Sequence, residues 1–148
     1  MPIGELCKHP VIVVEPEHTV RAAAALMREH HVGALVVVRN DGTRKPVGIV
    51  TDRDIAIGVV AVGLDAEVLT VGDIMGPRLV TAPVDQGVLE TVRQMRTKGI
   101  RRLPLVAHDG ALAGLVTLDD LLALLAGELD KLAGLVTREQ AIEEKTRR

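Results

Sequence analysis

The sequence contains no Phe, Tyr or Trp among its 148 residues. Proteins that bind single-stranded nucleic acid usually stack the bases on aromatic rings, and duplex binders present a basic face. Here the formal net charge is only −2 and no long basic face is visible, so we expect no nucleic-acid partner. Because 47% of the residues are apolar, the core must be built from aliphatic side chains and methionine.

Cysteines and long apolar runs are also scarce. The single cysteine, Cys7, excludes an intrachain disulfide and fits a reducing compartment. The longest apolar run, residues 55–64, is about half the length that a membrane-spanning helix needs. The first residues lack the pattern of a signal peptide, and no Cys/His cluster has zinc-ligand spacing. We therefore expect a cytoplasmic protein with no membrane partner and no metal site.

The most informative feature that is present is an internal repeat. Three segments recur in the same order: residues 4–7, 32–38 and 48–54 return as residues 72–75, 100–106 and 114–120. The offset falls from 68 to 66 between the second and third segments, because the first repeat has two extra residues near its turn. Two tandem copies of one unit indicate pseudo-twofold symmetry, in which any site in one copy has a twin in the other.

Hydrophobic spacing predicts the same order in both repeats, namely strand, helix, strand, turn, strand and helix. The predicted elements are residues 11–14, 19–30, 34–38, 47–50 and 52–62 in the first, and 79–81, 86–98, 103–106, 112–116 and 118–126 in the second. We predict an α+β fold consisting of repeat 1 (residues 1–62), a connector (63–70), repeat 2 (71–126) and a charged helical tail (127–148). Pro104 predicts that its strand is locally at a sheet edge or leaves that position unpaired. We expect the tail to contribute to a dimer contact at its start and to be disordered over its last five residues.

Thr51 and Asp54, and their twins Thr117 and Asp120, lie where a strand passes into a helix. The amides and partial positive charge of a helix N-terminus attract phosphate, and a threonine hydroxyl can add a hydrogen bond. A carboxylate three residues later can accept both hydroxyls of a ribose. The same Thr-x-x-Asp pattern is also close to a helix capping box, which needs no ligand. The two interpretations are compatible, and both stay open.

Three motifs in this chain resemble a tandem pair of cystathionine-β-synthase-type (CBS) domains, also called a Bateman module. They are Val-Gly-Asp-Ile-Met at residues 71–75, Gly-Ile-Arg-Arg-Leu-Pro-Leu-Val at residues 99–106, and the glycine, two apolar residues and Thr-x-x-Asp that end each repeat. The resemblance covers roughly residues 2–126. It implies two βαββα units packed about a pseudo-twofold axis. It also implies adenosine-containing ligands (AMP, ADP, ATP, sometimes NAD or S-adenosylmethionine) in two clefts, and assembly into homodimers.

The resemblance further implies which residues contact the ligand. Thr51 and Thr117 would contact phosphate, and Asp54 and Asp120 would contact ribose. The candidates around the adenine are Ile12, Val32, Gly33 and Ala34 in repeat 1, and Val80, Ile100, Arg101 and Arg102 in repeat 2. Each of these eight residues has the alternative role of an ordinary strand or core residue.

Arg101 and Arg102 stand where repeat 1 has Gly33 and Ala34. Because adjacent strand residues face opposite ways, at most one arginine should enter a given cleft. A guanidinium beside a helix N-terminus adds a charged fork for phosphate, so we predict unequal clefts, with the arginine-bearing one more tolerant of extra phosphates. The alternative is that both arginines face solvent or pair with acidic residues.

No Walker loop or Gly-x-Ser-x-Gly string is present, so we predict no catalytic residues and no catalytic cofactor. The predicted function is a non-enzymatic adenine-nucleotide sensor that acts on an unidentified effector protein. One alternative is a dimerisation platform whose clefts are unoccupied. A nucleotide hydrolase would need a water-activating carboxylate, for which only Asp52 or Asp119 is a candidate.

Overall fold

The computed structural model describes residues 1–7 and 9–147. Repeat 1 contains a 3₁₀ helix Ile3–Leu6, β1 Val13–Val14, α1 Val20–His30, β2 Ala34–Val38, β3 Pro46–Thr51, α2 Asp52–Ile55 and a π-helix Ala56–Val60. Repeat 2 contains α3 Val71–Ile74, β4 Ala82–Pro83, α4 Val88–Lys98, β5 Arg102–Val106, β6 Leu112–Thr117 and the start of α5 Leu118–Thr146. The order βαββα occurs twice, which confirms the predicted fold class.

Each repeat folds into a three-stranded sheet. The order is β1-β2-β3 in repeat 1 and β4-β5-β6 in repeat 2. The first strand of each sheet is parallel to the second, with Val13 opposite Val36 in one sheet and Ala82 opposite Leu105 in the other. A crossover helix, α1 or α4, joins each parallel pair, as a parallel connection requires.

The β2 strand is buried on both faces, as its continuous apolar sequence predicts. Leu35 and Val37 belong to the core between the sheet and the helices of repeat 1. Val36 and Val38 point the other way and pack with Leu112 of β6, so the two sheets meet face to face. This aliphatic interface gives each repeat burial that a unit of roughly 60 residues could not reach alone.

The two repeats also exchange their first helical segments. The 3₁₀ helix Ile3–Leu6 packs on repeat 2, where the Gly4 amide donates to the Val84 carbonyl at 2.9 Å. The Ile3 amide donates to the Gln86 carbonyl at 2.7 Å, and the Ile3 side chain is fully buried. A segment that begins repeat 1 therefore completes repeat 2.

The reciprocal contact is made by α3, which begins repeat 2 and packs on repeat 1. The Val71 amide donates to the His18 carbonyl at 2.8 Å, and the Gly72 amide donates to the Pro16 carbonyl at 2.9 Å. Val71 is fully buried in the core of repeat 1. These four residues lie 68 positions from those of the first contact, as a pseudo-twofold axis requires.

One local prediction needs correction, and a second holds on one side of its strand. The strand predicted at residues 79–81 lies instead at Ala82–Pro83, because only Ala82 and Pro83 pair with β5. Pro104 lies in β5, which is the middle strand of its sheet. The β4 partners of β5 begin at Leu105, however, so Pro104 has no partner in β4. The prediction of a local edge holds on that side of β5.

The C-terminal part of the chain is one continuous helix. The α5 helix runs from Leu118 to Thr146, so the predicted disorder of the last five residues is wrong for residues 144–146. Residue 148 lies outside the described residues. The chain forms two compact units, Met1–Val116 and a second that begins at Thr117, and α5 is described by itself. Within the described residues, no helix combines the length and apolarity needed to cross a membrane.

Candidate functional site

The Thr51 and Asp54 pair forms a complete capping box at the start of α2. The Asp54 amide donates to Thr51 Oγ1 at 3.1 Å, and the Thr51 amide donates to Asp54 Oδ2 at 2.9 Å. Thr117 and Asp120 form the same box at the start of α5, with distances of 3.2 and 2.9 Å. The capping interpretation therefore describes these four residues in the structure.

The first amides of α2 are used within repeat 1. The Asp52 amide donates to the Gly33 carbonyl at 2.9 Å, and the Arg53 amide donates to Asp52 Oδ1 at 2.8 Å. With the Asp54 amide bound by Thr51, the three N-terminal donors that a phosphate would need are already occupied.

The Asp52 carboxylate also lies against Gly33. A Cβ on Gly33 would stand 3.0 Å from Asp52 Oδ2, so the carboxylate occupies the space beside the start of β2. At the corresponding positions repeat 2 has Leu118 and Arg101. A leucine offers no acceptor for the next amide and no negative charge, so the two helix N-termini differ in both respects.

A cleft at the start of β5 brings together several of the predicted residues of repeat 2. It has a volume of about 190 Å³. We call it the repeat-2 cleft, and its lining residues are Ile49, Gly76, Arg78, Leu79, Val80, Ile100 and Arg102. Sites that enclose a whole small ligand usually start at about 300 Å³, so this cleft could enclose only part of a nucleotide. Four of these residues are aliphatic, one is glycine and two are arginines.

The two arginines of the repeat-2 cleft have no ion-pair partner among the described residues. Across residues 1–7 and 9–147, the ion pairs within 4.0 Å involve other side chains, and no carboxylate pairs with Arg78 or Arg102. Arg102 is half-buried at the first position of β5, whereas Arg101 is exposed and lies outside the cleft lining. This fits the expectation that adjacent arginines diverge.

The remaining predicted residues lie elsewhere in repeat 1. Ile12 and Val32 are partly buried and pack against the core cluster of repeat 1. Ala34 is the first residue of β2 and pairs with Thr51 across the ladder. These positions fit strand and core roles, and their part in ligand binding stays a prediction.

Asp54 lines a different cleft, of about 540 Å³, together with residues of the π-helix, the connector and α3. A second carboxylate, Asp73, lines the same cleft and belongs to a capping box with Thr70. The lining of this cleft includes none of Ile12, Val32, Gly33 or Ala34, and their part in a common site with Asp54 stays a prediction.

Sequence reasoning missed Arg78, and it considered Asp52 only as a water-activating carboxylate, not as a side chain that lies against Gly33. Arg78 corresponds to Pro10 in repeat 1, so aligning the two repeats would have shown it as a third arginine particular to repeat 2. The position of the Asp52 carboxylate follows from its bond to the next amide and had no separate signal in the sequence. Within the described part of the chain, no group of three His, Cys, Asp or Glu side chains could hold a metal ion.

Comparison with known proteins agrees with this fold. The family model of the CBS domain matches the chain twice, at residues 3–60 and 71–127. The chain therefore belongs to the CBS-domain family and carries a tandem pair of these domains. The uncharacterized protein MK0525 of Methanopyrus kandleri is 40% identical over 120 residues, which are 81% of this chain and 60% of that protein. The chain thus spans less than two thirds of MK0525.

Other relatives match over more of their own length. The CBS domain-containing protein YhcV of Bacillus subtilis is 39% identical over 111 residues, 75% of this chain and 76% of YhcV. The CBS domain protein PAE2072 from Pyrobaculum aerophilum, solved in complex with AMP, has a TM-score of 0.74 at 27% identity, covering 82% of this chain and 90% of its own. The CBS domain pair of protein MJ0100, solved with methylthioadenosine and S-adenosylmethionine, has a TM-score of 0.74 at 26% identity, covering 86% and 98%.

Proposed function

We propose that this protein is a non-enzymatic regulatory module that binds an adenine nucleotide in the repeat-2 cleft. The observation that carries the proposal is the pair of unpaired guanidinium groups, Arg78 and Arg102, beside the aliphatic walls of that cleft. The structural neighbours solved with AMP and with S-adenosylmethionine support an adenosine-containing ligand.

The chemistry of the cleft suggests how a nucleotide would lie. Leu79, Val80 and Ile100 would pack on the faces of the adenine, which has no aromatic partner in this chain. Arg78 and Arg102 would bind the phosphates, which extend out of the small enclosed volume. Thr117 and Asp120 remain the proposed phosphate and ribose contacts of this repeat, on the family resemblance.

The same charges discriminate among the candidate ligands. Two cationic groups favour AMP, ADP, ATP and NAD, which carry phosphates, over S-adenosylmethionine, which carries a sulfonium cation. Extra phosphates should strengthen binding, because each adds acceptors for a guanidinium fork. We expect ATP to bind at least as tightly as AMP.

The binding test is calorimetric titration of nucleotide-stripped protein with AMP, ADP, ATP, NAD and S-adenosylmethionine. Arg102→Ala should weaken ATP binding roughly 10- to 100-fold, since a hydrogen bond to a charged group contributes about 1.5–3 kcal/mol. Arg101→Ala is the matched control, because it removes the same charge one residue away and outside the cleft lining. Equal losses in both variants would indicate general electrostatics, and no binding at all would refute the proposal.

Regulation requires a surface that responds to the ligand, and we propose that an effector protein uses it. The helical end of repeat 1 and the connector expose several large apolar side chains, namely Ile57, Val60, Val62, Leu64 and Val68, each at least half exposed. Single exposed apolar residues are ordinary, but a group of this kind is typical of interaction surfaces.

This apolar group also favours the alternative function, a dimerisation platform whose clefts stay empty. The two functions differ in one measurable property. A sensor would change its association constant when ATP is added, because ligand and partner binding are coupled in both directions. A platform would dimerise with the same constant with and without nucleotide.

A further inference from the structure

The helix α5 carries exposed side chains along most of its length. From Leu125 through Arg147 every residue is exposed, although the sequence keeps large apolar side chains at regular intervals. The CBS family model ends at residue 127, so most of this helix lies outside the domain pair. Its role therefore needs an explanation of its own.

Five of the exposed apolar side chains of α5 follow a heptad repeat, and Leu135 and Ile142 lie outside it. Leu122, Leu125, Leu129, Leu132 and Val136 are spaced alternately by three and four residues, which places them on one stripe. Their exposed fractions range from 50% to 66%. We call these five residues the seam, and such a stripe is typical of a helix that packs against another helix.

Two interior glycines lower the intrinsic propensity of this helix. Gly127 and Gly134 lie in its interior, and each is about 1 kcal/mol less favourable there than alanine. No atom lies within 4 Å of the place where a Cβ would stand at either glycine, so packing within the chain does not require them. Most of the stability of a helix in a protein comes from packing one apolar face, which here needs a partner.

We propose that the seam pairs with the seam of a second chain of this protein, in an antiparallel coiled coil. A heptad seam is complementary to an identical seam, and a twofold axis lets every contact occur twice. The orientation follows from the next seam position, which is Glu139. A parallel pair in register would place the two Glu139 carboxylates opposite each other inside the seam, which is unfavourable.

Antiparallel pairing removes this repulsion. If Leu129 faces Leu132 of the second chain, Leu125 faces Val136 and Glu139 lies at the end of the seam, opposite Leu122. The two Glu139 residues are then roughly 25 Å apart, from a rise of 1.5 Å per residue. On one flank Ala126 faces Ala133, and these small side chains permit close approach of the helices.

Self-association of the 148-residue chain tests the role of the seam. Sedimentation equilibrium should show that Leu129→Glu/Leu132→Glu weakens self-association by at least about 100-fold, since two charges would be buried at each pairing. Thr137→Glu/Ala141→Glu is the matched control on the same helix but off the seam, and it should leave association unchanged. Because both seam positions are exposed in the single chain, the variant should still fold, and far-UV circular dichroism checks this.

Oxidative cross-linking tests the orientation. A mixture of Leu125→Cys and Val136→Cys proteins, distinguishable by mass, should form the mixed dimer, whereas each protein alone should cross-link no more than wild type, which contains only Cys7. Self-cross-linking at position 125 or 136 would overturn the antiparallel arrangement.

A wild type that stays monomeric, or a seam variant that associates like wild type, would overturn the proposal itself. None of these measurements requires a nucleotide, so they are independent of the proposed function.

Discussion

Repeat 1 and repeat 2 differ most where each last strand passes into the following helix. In repeat 1 the Asp52 carboxylate accepts from the Arg53 amide and stands beside Gly33. Repeat 2 has Leu118 and Arg101 at the corresponding positions, and Arg78 and Arg102 line its cleft nearby. The same backbone therefore presents negative charge in one repeat and positive charge in the other.

The difference shows which parts of the repeat are constrained by folding. The capping boxes, the buried second strands and the exchanged helical segments are the same in both repeats, because each contributes to the shared core. Residues that face the clefts are free of that constraint and have diverged. We infer from this that the module is asymmetric in its binding chemistry, with one cleft suited to anions.

The exchanged segments differ in which atoms they place against a glycine of the opposite repeat. A Cβ on Gly114 would stand 2.9 Å from Cys7 Cβ, an atom held by the backbone. A Cβ on its twin, Gly48, would stand 2.7 Å from Met75 Sδ, at the flexible end of a side chain. An added methyl group would therefore meet an atom held by the backbone at Gly114 and the flexible end of a side chain at Gly48.

The largest effect that we predict tests this difference in packing. Gly114→Ala should lower the free energy of unfolding by about 1–3 kcal/mol, because an overpacked site must move backbone. Gly48→Ala should cost less than about 1 kcal/mol, because the methionine thioether adapts. Urea denaturation midpoints measure both. Gly58→Ala is the control, since no atom lies near its Cβ position, and equal losses at Gly114 and Gly48 would contradict the argument.

The second prediction attempts to make the two clefts alike. Asp52→Leu/Ala34→Arg gives repeat 1 the leucine and one of the arginines of repeat 2. It should raise the calorimetric stoichiometry for ATP from one to two, because it removes a carboxylate and adds a charge-assisted donor. Asp52→Leu alone is the control and should leave the stoichiometry at one. Two sites in the wild type would show that the negative charge of Asp52 does not exclude phosphate.

Local sequence signals predicted the shared features well. The continuous apolar runs at β2 and β5 and the Thr-x-x-Asp boxes depend on neighbours within a few residues, so pattern alone is informative. The strand at residues 79–81 was wrong for a physical reason: Leu79 and Val80 are apolar because they line a cleft, whereas the ladder begins at Ala82.

Features that depend on distant residues could not be predicted. The repeat showed that residues 4–7 and 72–75 correspond, but not that each packs on the opposite repeat. The adjacent arginines predicted unequal clefts. Only the folded arrangement shows that Arg78 lines the same cleft as Arg102 and that the Asp52 carboxylate lies against Gly33.

The third prediction separates capping from ligand contact. Thr51→Ala and Thr117→Ala should each cost about 1 kcal/mol of stability, because each removes one side of a capping box. Only Thr117→Ala should also reduce the rise in melting temperature that ATP produces, measured by calorimetry at saturating nucleotide. Similar ATP-induced shifts in both variants would mean that Thr117 is a cap and nothing more.

The smallest predicted effect concerns the turn between β2 and β3. Repeat 1 has Thr43 there, whereas repeat 2 has Ala111, which carries no hydroxyl. Asp41 accepts a hydrogen bond from the Thr43 hydroxyl and another from the Thr43 amide, and together they lower the pKa of Asp41. In repeat 2 the equivalent Asp109 accepts only from the amide of Ala111. Thr43→Val should raise the pKa of Asp41 toward its usual value without restoring it fully, since the amide bond remains.

Carboxyl NMR titration measures this shift at Asp41. Because the folded pKa is depressed, the stabilisation from Asp41 is present above the unfolded pKa and is lost as the pH falls through the folded pKa. The wild type and Thr43→Val should therefore differ in stability near neutral pH and converge in acid. Arg39→Gln is the control, because the charge of Arg39 contributes less to the shift than either hydrogen bond from Thr43. A larger change in Arg39→Gln than in Thr43→Val would contradict the hydroxyl as the main cause.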